Sequence, residues 1–480
     1  MNYTTVIGLE CHVELSTRTK AYCGCSTAFG GKPNSHVCPV CLGLPGALPV
    51  INREVVNSAI KAGLALNCEI TRTQHYDRKN YFYTDTPKNY QVTQQATPIC
   101  HDGWVEIELA NGEKKKIGIE RIHMEEDAGK QLHTKAGTLV DFNRSGVPLI
   151  EIVTKPDLRS KEEATLYMTK LRSILEALDV SDVRMEEGSL RVDCNVSVMP
   201  EGADEYGVRA EVKNLNSFKA MEKAVDFEVA RQIKAREEGI DRSEETRRWD
   251  EARQETILMR SKEMANDYRY FPEGDLTTLK ISDEWIEEVR RTIPELPYEK
   301  EERFIRAYGV TRYDAHVLTL DASLADFFDE TARISGDGKA AANWLMGDIS
   351  RLLNEEAQRA GDLKFRPRDL HDLTELIRNG SISNAAGKKV IDEMFKTGDQ
   401  PEAIVEKLGL AQVSDEGALL EVVKKVLDEN PQVIEDFKNG KTRIVGFAVG
   451  QVMKATKGSA NPQVVNELVT AEVRKRADTN

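Results

Sequence analysis

Long apolar runs are absent from this 480-residue chain, and no stretch approaches the ~20 consecutive apolar residues of a membrane-crossing helix. The opening Met1-Asn-Tyr-Thr-Thr-Val-Ile-Gly-Leu-Glu10 lacks the basic-then-apolar order of a secretory leader. A cytoplasmic protein with no membrane partner is therefore expected. Cysteine is sparse, with eight in the whole chain, too few for a disulfide-stapled scaffold. Three signatures are also missing: a G-x-x-x-x-G-K-[S/T] phosphate loop, a G-x-G-x-x-G dinucleotide turn and a G-x-S-x-G nucleophile elbow. Gly440-Lys441-Thr442 only imitates the first, because Glu435 stands where its leading glycine belongs. The net charge of −14 argues against nucleic acid only on average. From Phe437 onward eight Lys or Arg face three Asp or Glu, a local balance of +5 that leaves an RNA partner open.

What is present first reads as mixed strands and helices. Ile7, Leu9, Cys11, Val13 and Leu15 alternate with Gly8, Glu10, His12 and Glu14. Leu190, Val192, Cys194, Val196 and Val198 alternate with Arg191, Asp193, Asn195 and Ser197. Val208, Ala210 and Val212 repeat the pattern against Arg209, Glu211 and Lys213. Ser160 and Glu163 have capping-box spacing ahead of Leu171, Ile174, Leu175 and Leu178 at helical intervals. Asn111-Gly112 between two strands predicts a hairpin, and one polar face per strand suits an antiparallel sheet. The class expected is α+β. Two prolines in Thr292-Ile-Pro-Glu-Leu-Pro-Tyr298 mark a boundary. Beyond it Asn343–Leu353 and Asn384–Ile391 read as helices, and more helix follows from about Pro401.

Two clusters carry chemistry. Cys23-Gly-Cys25 and Cys38-Pro-Val-Cys41 have the paired spacing that closes a tetrahedron around a structural Zn2+; the alternative is four unrelated thiols. Glu10, His12 and Glu14 share one strand face, roughly 7 Å apart. If Glu125, Asp193 and Glu211 stand beside them, the carboxylates repel one another unless Mg2+ occupies the nest. Arg191, Arg209 and Lys213 then face the phosphates such an ion brings. Residue by residue, solvated strand faces with cross-strand ion pairs are the stronger explanation, and for Glu10, His12 and Glu14 together the two readings stand even.

Ile7–Leu15, Arg78–Tyr83, Pro87–Gln91, Leu190–Val198, Glu211–Phe218, Arg260–Glu263, Asp267–Pro272, Val449–Lys454 and Gly458–Pro462 together resemble the B subunits of tRNA-dependent amidotransferases. The likeness runs in order along essentially the whole chain, with departures at Thr84, Thr86 and Gly274. It implies a cradle-like catalytic domain over residues 1–293, in which the zinc-binding insertion rests on the cysteine spacing alone, a helical domain over 294–405 and a YqeY-like, tRNA-binding tail over 406–480. It also implies a ligase that uses ATP and Mg2+ to phosphorylate the side-chain carboxylate of misacylated Glu-tRNA(Gln) or Asp-tRNA(Asn). Amidation would follow with ammonia from an amidase (A) subunit, a small C subunit completing a heterotrimer. Glu10, His12, Glu125, Glu211 and Lys79 are then the catalytic candidates, Glu14 and Asp193 further ion ligands, and Lys441, Arg443, Lys454 and Lys457 tRNA contacts. Two other classes compete: a small-molecule carboxylate–amine ligase, and a non-enzymatic RNA-binding scaffold with a zinc knuckle. Tail and cysteines favour the scaffold, the acidic strand face an enzyme.

Overall fold

The computed structural model describes residues 2–261, 268–356, 358–412, 416–456 and 460–478. The chain divides into two compact units, Met1–Leu296 and Pro297–Asn480.

The first unit is organised by a nine-stranded sheet. In chain order its strands are β1 (Tyr3–Glu14), β2 (Glu69–Ile70), β3 (Cys100–Glu108), β4 (Lys114–Glu126), β5 (Pro148–Thr154), β6 (Leu190–Pro200), β7 (Ala210–Leu215), β8 (Glu245–Asp250) and β9 (Glu255–Ser261). They lie in the order β9-β8-β7-β6-β1-β5-β4-β3-β2. Every neighbouring pair is antiparallel except β7 with β8. That parallel pair needs a crossover, which helix α3 (Phe218–Glu237) supplies. Between β3 and β4, Gly112 sits at φ 82°, as the predicted hairpin turn requires.

Three helices, α1 (Arg53–Ala65), α2 (Lys161–Ala177) and α3, cover the apolar face. Ser160 starts α2 by accepting from the Glu163 amide at 3.2 Å. The Glu163 carboxylate reaches back to the Arg159 amide at 2.7 Å, one residue before the position a capping box would use. Tyr167, Met168, Leu171, Ile174 and Leu175 of α2 are buried, with Cys11 Sγ 3.4 Å from Met168 Sδ. Cys11, Cys100 and Cys194 are fully buried core residues and Cys68 nearly so. At Gly63 a Cβ would lie 2.3 Å from Cys100 Sγ, so only glycine lets α1 pack this close.

The opposite face carries the polar residues. Over the end of β4 stands a small sheet of Phe271–Pro272, Asp77–Asn80 and Tyr90–Thr93, in that order.

The second unit is built of helices. Pro297 begins the first of them, at the end position where its missing N–H costs nothing. One core gathers Phe304, Phe328, Leu345, Ile349, Val390 and Ile391; another, towards the C-terminus, gathers Leu419, Val423, Val452, Val465 and Val469. The segment expected as one helix over Asn343–Leu353 contains a π turn, Leu345–Ile349. The Ser350 hydroxyl donates to the Leu345 carbonyl at 2.6 Å, satisfying it where the regular ladder widens. Among the described residues no helix is long and apolar enough to cross a membrane.

Candidate active site

Sheet register decides which polar side chains meet. Across β1, Glu10 faces Asp193 on one side and Val153 on the other, while His12 faces Arg191 and Glu151. Glu151 in turn faces His123, and Asn195 faces Glu211. The single nest expected from sequence is therefore two groups. His12, Glu125 and Glu151 offer ligand atoms within 4.8 Å of one another, and so do Glu10, Asp193 and Glu211.

The first group is buried on β4 and β5 and half-buried on β1. Glu151 lies 3.5 Å from His12 Nε2 and 3.0 Å from His123 Nε2, which is also 3.3 Å from Glu125. The small sheet adds Thr93 and Gln91, donating to Glu125 at 2.9 and 3.0 Å, and the Lys79 ammonium at 3.9 Å. Burial alone would raise the Glu125 carboxyl, but Lys79 and His123 outweigh it and hold the group well below the usual carboxylate range. Glu151 is also lowered against burial, chiefly by His123. His123 itself rises to about 9, its two carboxylate bonds overcoming desolvation. Its Nδ1 is buried without a hydrogen-bond partner among the described residues.

In the second group Lys213 bridges Asp193 and Glu211 at 2.6 and 2.7 Å, and Thr246 donates to Glu211 at 2.9 Å. Burial raises the Glu10 carboxyl, and the charges of Glu151 and Glu211 raise it further against a 2.9 Å bond from Asn195. Glu211 is lowered instead, because Lys213 outweighs burial. Beside this group opens a cleft of about 670 Å³, with Val6, Leu9 and Val208 in its wall and Arg209 and Arg242 at its polar side.

Two expected members stand elsewhere. Glu14 shares its surroundings with Asp127, Arg191 and Arg144, and burial with the Asp127 charge pushes it up to about 8. Arg191 donates to Asp127 at 3.1 Å and so is already neutralised. The reason is geometric: Asp127 follows the last residue of β4 and turns towards the Glu14 end of β1. Arg209 is exposed on the cleft, 4.0 Å from Glu244. Sequence reasoning missed Glu151, His123 and Asp127. Glu151 carried a signal, as a lone acid in the otherwise apolar Leu149-Ile-Glu-Ile-Val153.

The four cysteine sulfurs of Cys23, Cys25, Cys38 and Cys41 also lie within 4.8 Å of one another. A bond from Cys23, then the Cys38 amide and the Lys20 ammonium, lower Cys41 to about 4, whereas burial and the Cys38 thiol raise Cys25 to about 11. Lys20 is fully buried, its ammonium 3.6 Å from Cys41 Sγ and donating to the carbonyls of His36 and Phe142 at 2.7 and 3.2 Å.

In the second unit, Ile444–Ala455 is a helix whose Gly446 and Gly450 meet nothing among the described residues within 4 Å of an added Cβ. Close packing against those residues therefore does not explain them. Arg443 and Lys454 are exposed at its two ends, and exposed Lys441 pairs with Asp436 at 3.1 Å. Lys457 lies outside the described residues.

Residues 5–287 match the family described as GatB/GatE catalytic domain, and residues 326–473 match the GatB domain. A curated protein of Clostridium botulinum strain Alaska E43 is 64% identical over 476 residues, covering 99% of this chain and 100% of its own length. That of strain Hall is 65% identical over 475 residues, with the same coverage. Both are named as the B subunit of an aspartyl/glutamyl-tRNA(Asn/Gln) amidotransferase.

Proposed function

The chain belongs to the B-subunit family of aspartyl/glutamyl-tRNA(Asn/Gln) amidotransferases, and from that premise we propose that it activates the side-chain carboxylate of misacylated tRNA with ATP for amidation. A carboxylate oxygen of the tRNA-borne glutamate or aspartate attacks the γ-phosphorus and ADP leaves. Ammonia then attacks the acyl phosphate carbon, phosphate departs and the amide remains. The ammonia comes from glutamine hydrolysed by an amidase subunit, with a small third subunit in the assembly.

The observation that carries this reading is the pair of acidic groups side by side on one sheet face, each with its own lysine. Phosphoryl transfer needs charge neutralisation and positioning rather than an enzyme nucleophile. The donor set fits hard divalent ions: Glu125 and Glu151 are held ionised, and Glu10 rises partly because neighbouring carboxylates repel its charge. Mg2+ held by His12, Glu125 and Glu151, or by Glu10, Asp193 and Glu211, would supply that neutralisation. Arg209 at the cleft and Lys213 on the acidic group beside it meet phosphate oxygens, and the cleft takes the nucleoside. Lys79 holds the Glu125 carboxylate ionised. Glu14 and Arg191 gather around Asp127 at the end of the central strands rather than around the ions.

Cys23, Cys25, Cys38 and Cys41 hold a structural Zn2+, which their mutual spacing and the buried Lys20 ammonium support. Residues 1–293 form the catalytic domain, 294–405 a helical domain and 406–480 the tRNA-binding tail. Lys441, Arg443, Lys454 and Lys457 meet phosphates there, and the open glycine face of the Ile444–Ala455 helix permits close backbone approach.

The test is His12→Ala and Glu151→Gln in the assembled enzyme. ATP-dependent amidation falls by about 10²-fold or more, and glutamine hydrolysis by the partner persists. Full amidation by both variants would remove these residues from the reaction.

A further inference from the structure

Beside Lys79 runs a row of aromatic rings that the chemistry above does not use. Tyr83 lies 5.9 Å from Tyr81, Tyr81 6.3 Å from Tyr268, and Tyr268 5.9 Å from Tyr270, ring centre to ring centre. The row joins the acidic site through Lys79, whose ammonium is 5.2 Å from the Tyr268 ring centre and 3.9 Å from the Glu125 carboxylate. Its ends are open to solvent, Tyr83 58% and Tyr270 40% exposed, and Phe82, next to Tyr83 in the chain, is 71% exposed. The Arg269 guanidinium lies 5.9 Å from the Phe82 ring centre.

The frame beneath is tied together by hydrogen bonds. Arg269 adopts φ 45°, a left-handed conformation that a non-glycine residue rarely takes without support. Asn80 supports it, its amide N–H donating to the Tyr268 carbonyl and its side chain to the Arg269 carbonyl, both at 2.9 Å. Phe271 pairs with Arg78, which is doubly bonded to the buried Glu273 at 2.7 and 2.8 Å.

We propose that this row is a stacking platform for the unpaired 3′-terminal nucleotides of the tRNA. The proposal rests on the function argued above. The reacting amino acid is esterified to the last nucleotide, so the bases before it must lie close to Glu125 when its carboxylate is activated. The row meets that point at Tyr268 and reaches solvent at Tyr83 and Tyr270 on either side. Rings interleaved with cations suit bases and phosphates, and stacking needs no particular base. A protein partner seated here would instead cover the approach to Glu125.

The test uses the assembled enzyme carrying Phe82→Ala and Tyr83→Ala, with equal melting temperatures required. Binding is measured at one salt concentration with intact tRNA and with the same tRNA trimmed of its unpaired 3′ nucleotides. The double variant loses on the order of tenfold affinity for intact tRNA and none for the trimmed form. Phe82→Tyr with Tyr83→Phe restores binding. Equal losses for both RNAs, or no loss for either, overturns the proposal, as does dissociation of the subunits in sedimentation. A wild type that binds the intact tRNA better but never amidates it would sink the proposed reaction and leave the platform standing.

Discussion

Replacing Lys20 with Met keeps most of the length of a fully buried side chain and removes its charge and its donors. The ammonium gives two bonds to carbonyls and stands 3.6 Å from Cys41 Sγ. Bonds from a charged donor contribute about 1.5–3 kcal/mol each, so the two carbonyl bonds represent roughly 3–6 kcal/mol. Relief from burying an ammonium offsets part of this, but four thiolates around Zn2+ would carry negative charge that then lacks its buried cation. A net loss of about 2–4 kcal/mol is expected, which lowers the melting temperature of a domain this size by about 5–10 °C. The assays are thermal unfolding and the rate of zinc release to a coloured chelator. Lys20→Met should melt earlier and release zinc faster. If it matches the wild type in both, the ammonium does not compensate the thiolates, and the electrostatic argument fails.

Glu14→Gln tests a titration. Its folded value of about 8 exceeds the ordinary 4.5, so its contribution to stability is present below about pH 4.5 and lost as pH rises towards 8. Gln mimics the neutral form, so the variant's urea midpoint should fall less than the wild type's between pH 5 and 8; parallel curves would show that Glu14 does not hold its proton. In the tail, Arg443→Ala with Lys454→Ala should weaken tRNA binding and flatten its salt dependence by about one to two counterions. Gly446→Ala with Gly450→Ala should strengthen the helix by about 0.5–1 kcal/mol per site yet weaken tRNA binding. Unchanged tRNA affinity in both pairs would take the helix out of the interface.

Local patterns proved legible where the physics is local. The alternation of Ile7 to Leu15 and of Leu190 to Val198 marks the buried face, because side chains on a strand change sides at every residue. Ser160 capped its helix and Asn111-Gly112 turned its hairpin within a few residues of chain. The cysteine spacing likewise brought four sulfurs together.

Less legible was whatever depended on partners far along the chain. Glu151 joins His12 only because β1 and β5 pair in one register across 139 residues, and a slip of one residue would turn it to the other face. Asp127 draws off Glu14 and Arg191 for the same kind of reason. Ionisation is decided even later: Glu125 and Glu10 are the same residue on one sheet face, yet a lysine beside the first lowers it while burial and neighbouring carboxylates raise the second. By itself the sequence determined the α+β class, the polar strand faces and the thiol cluster, since periodicity and short spacing act along the chain. Which carboxylates meet, and which keep their charge, was decided only by tertiary structure, because both depend on strand pairing and burial between residues the chain order holds apart.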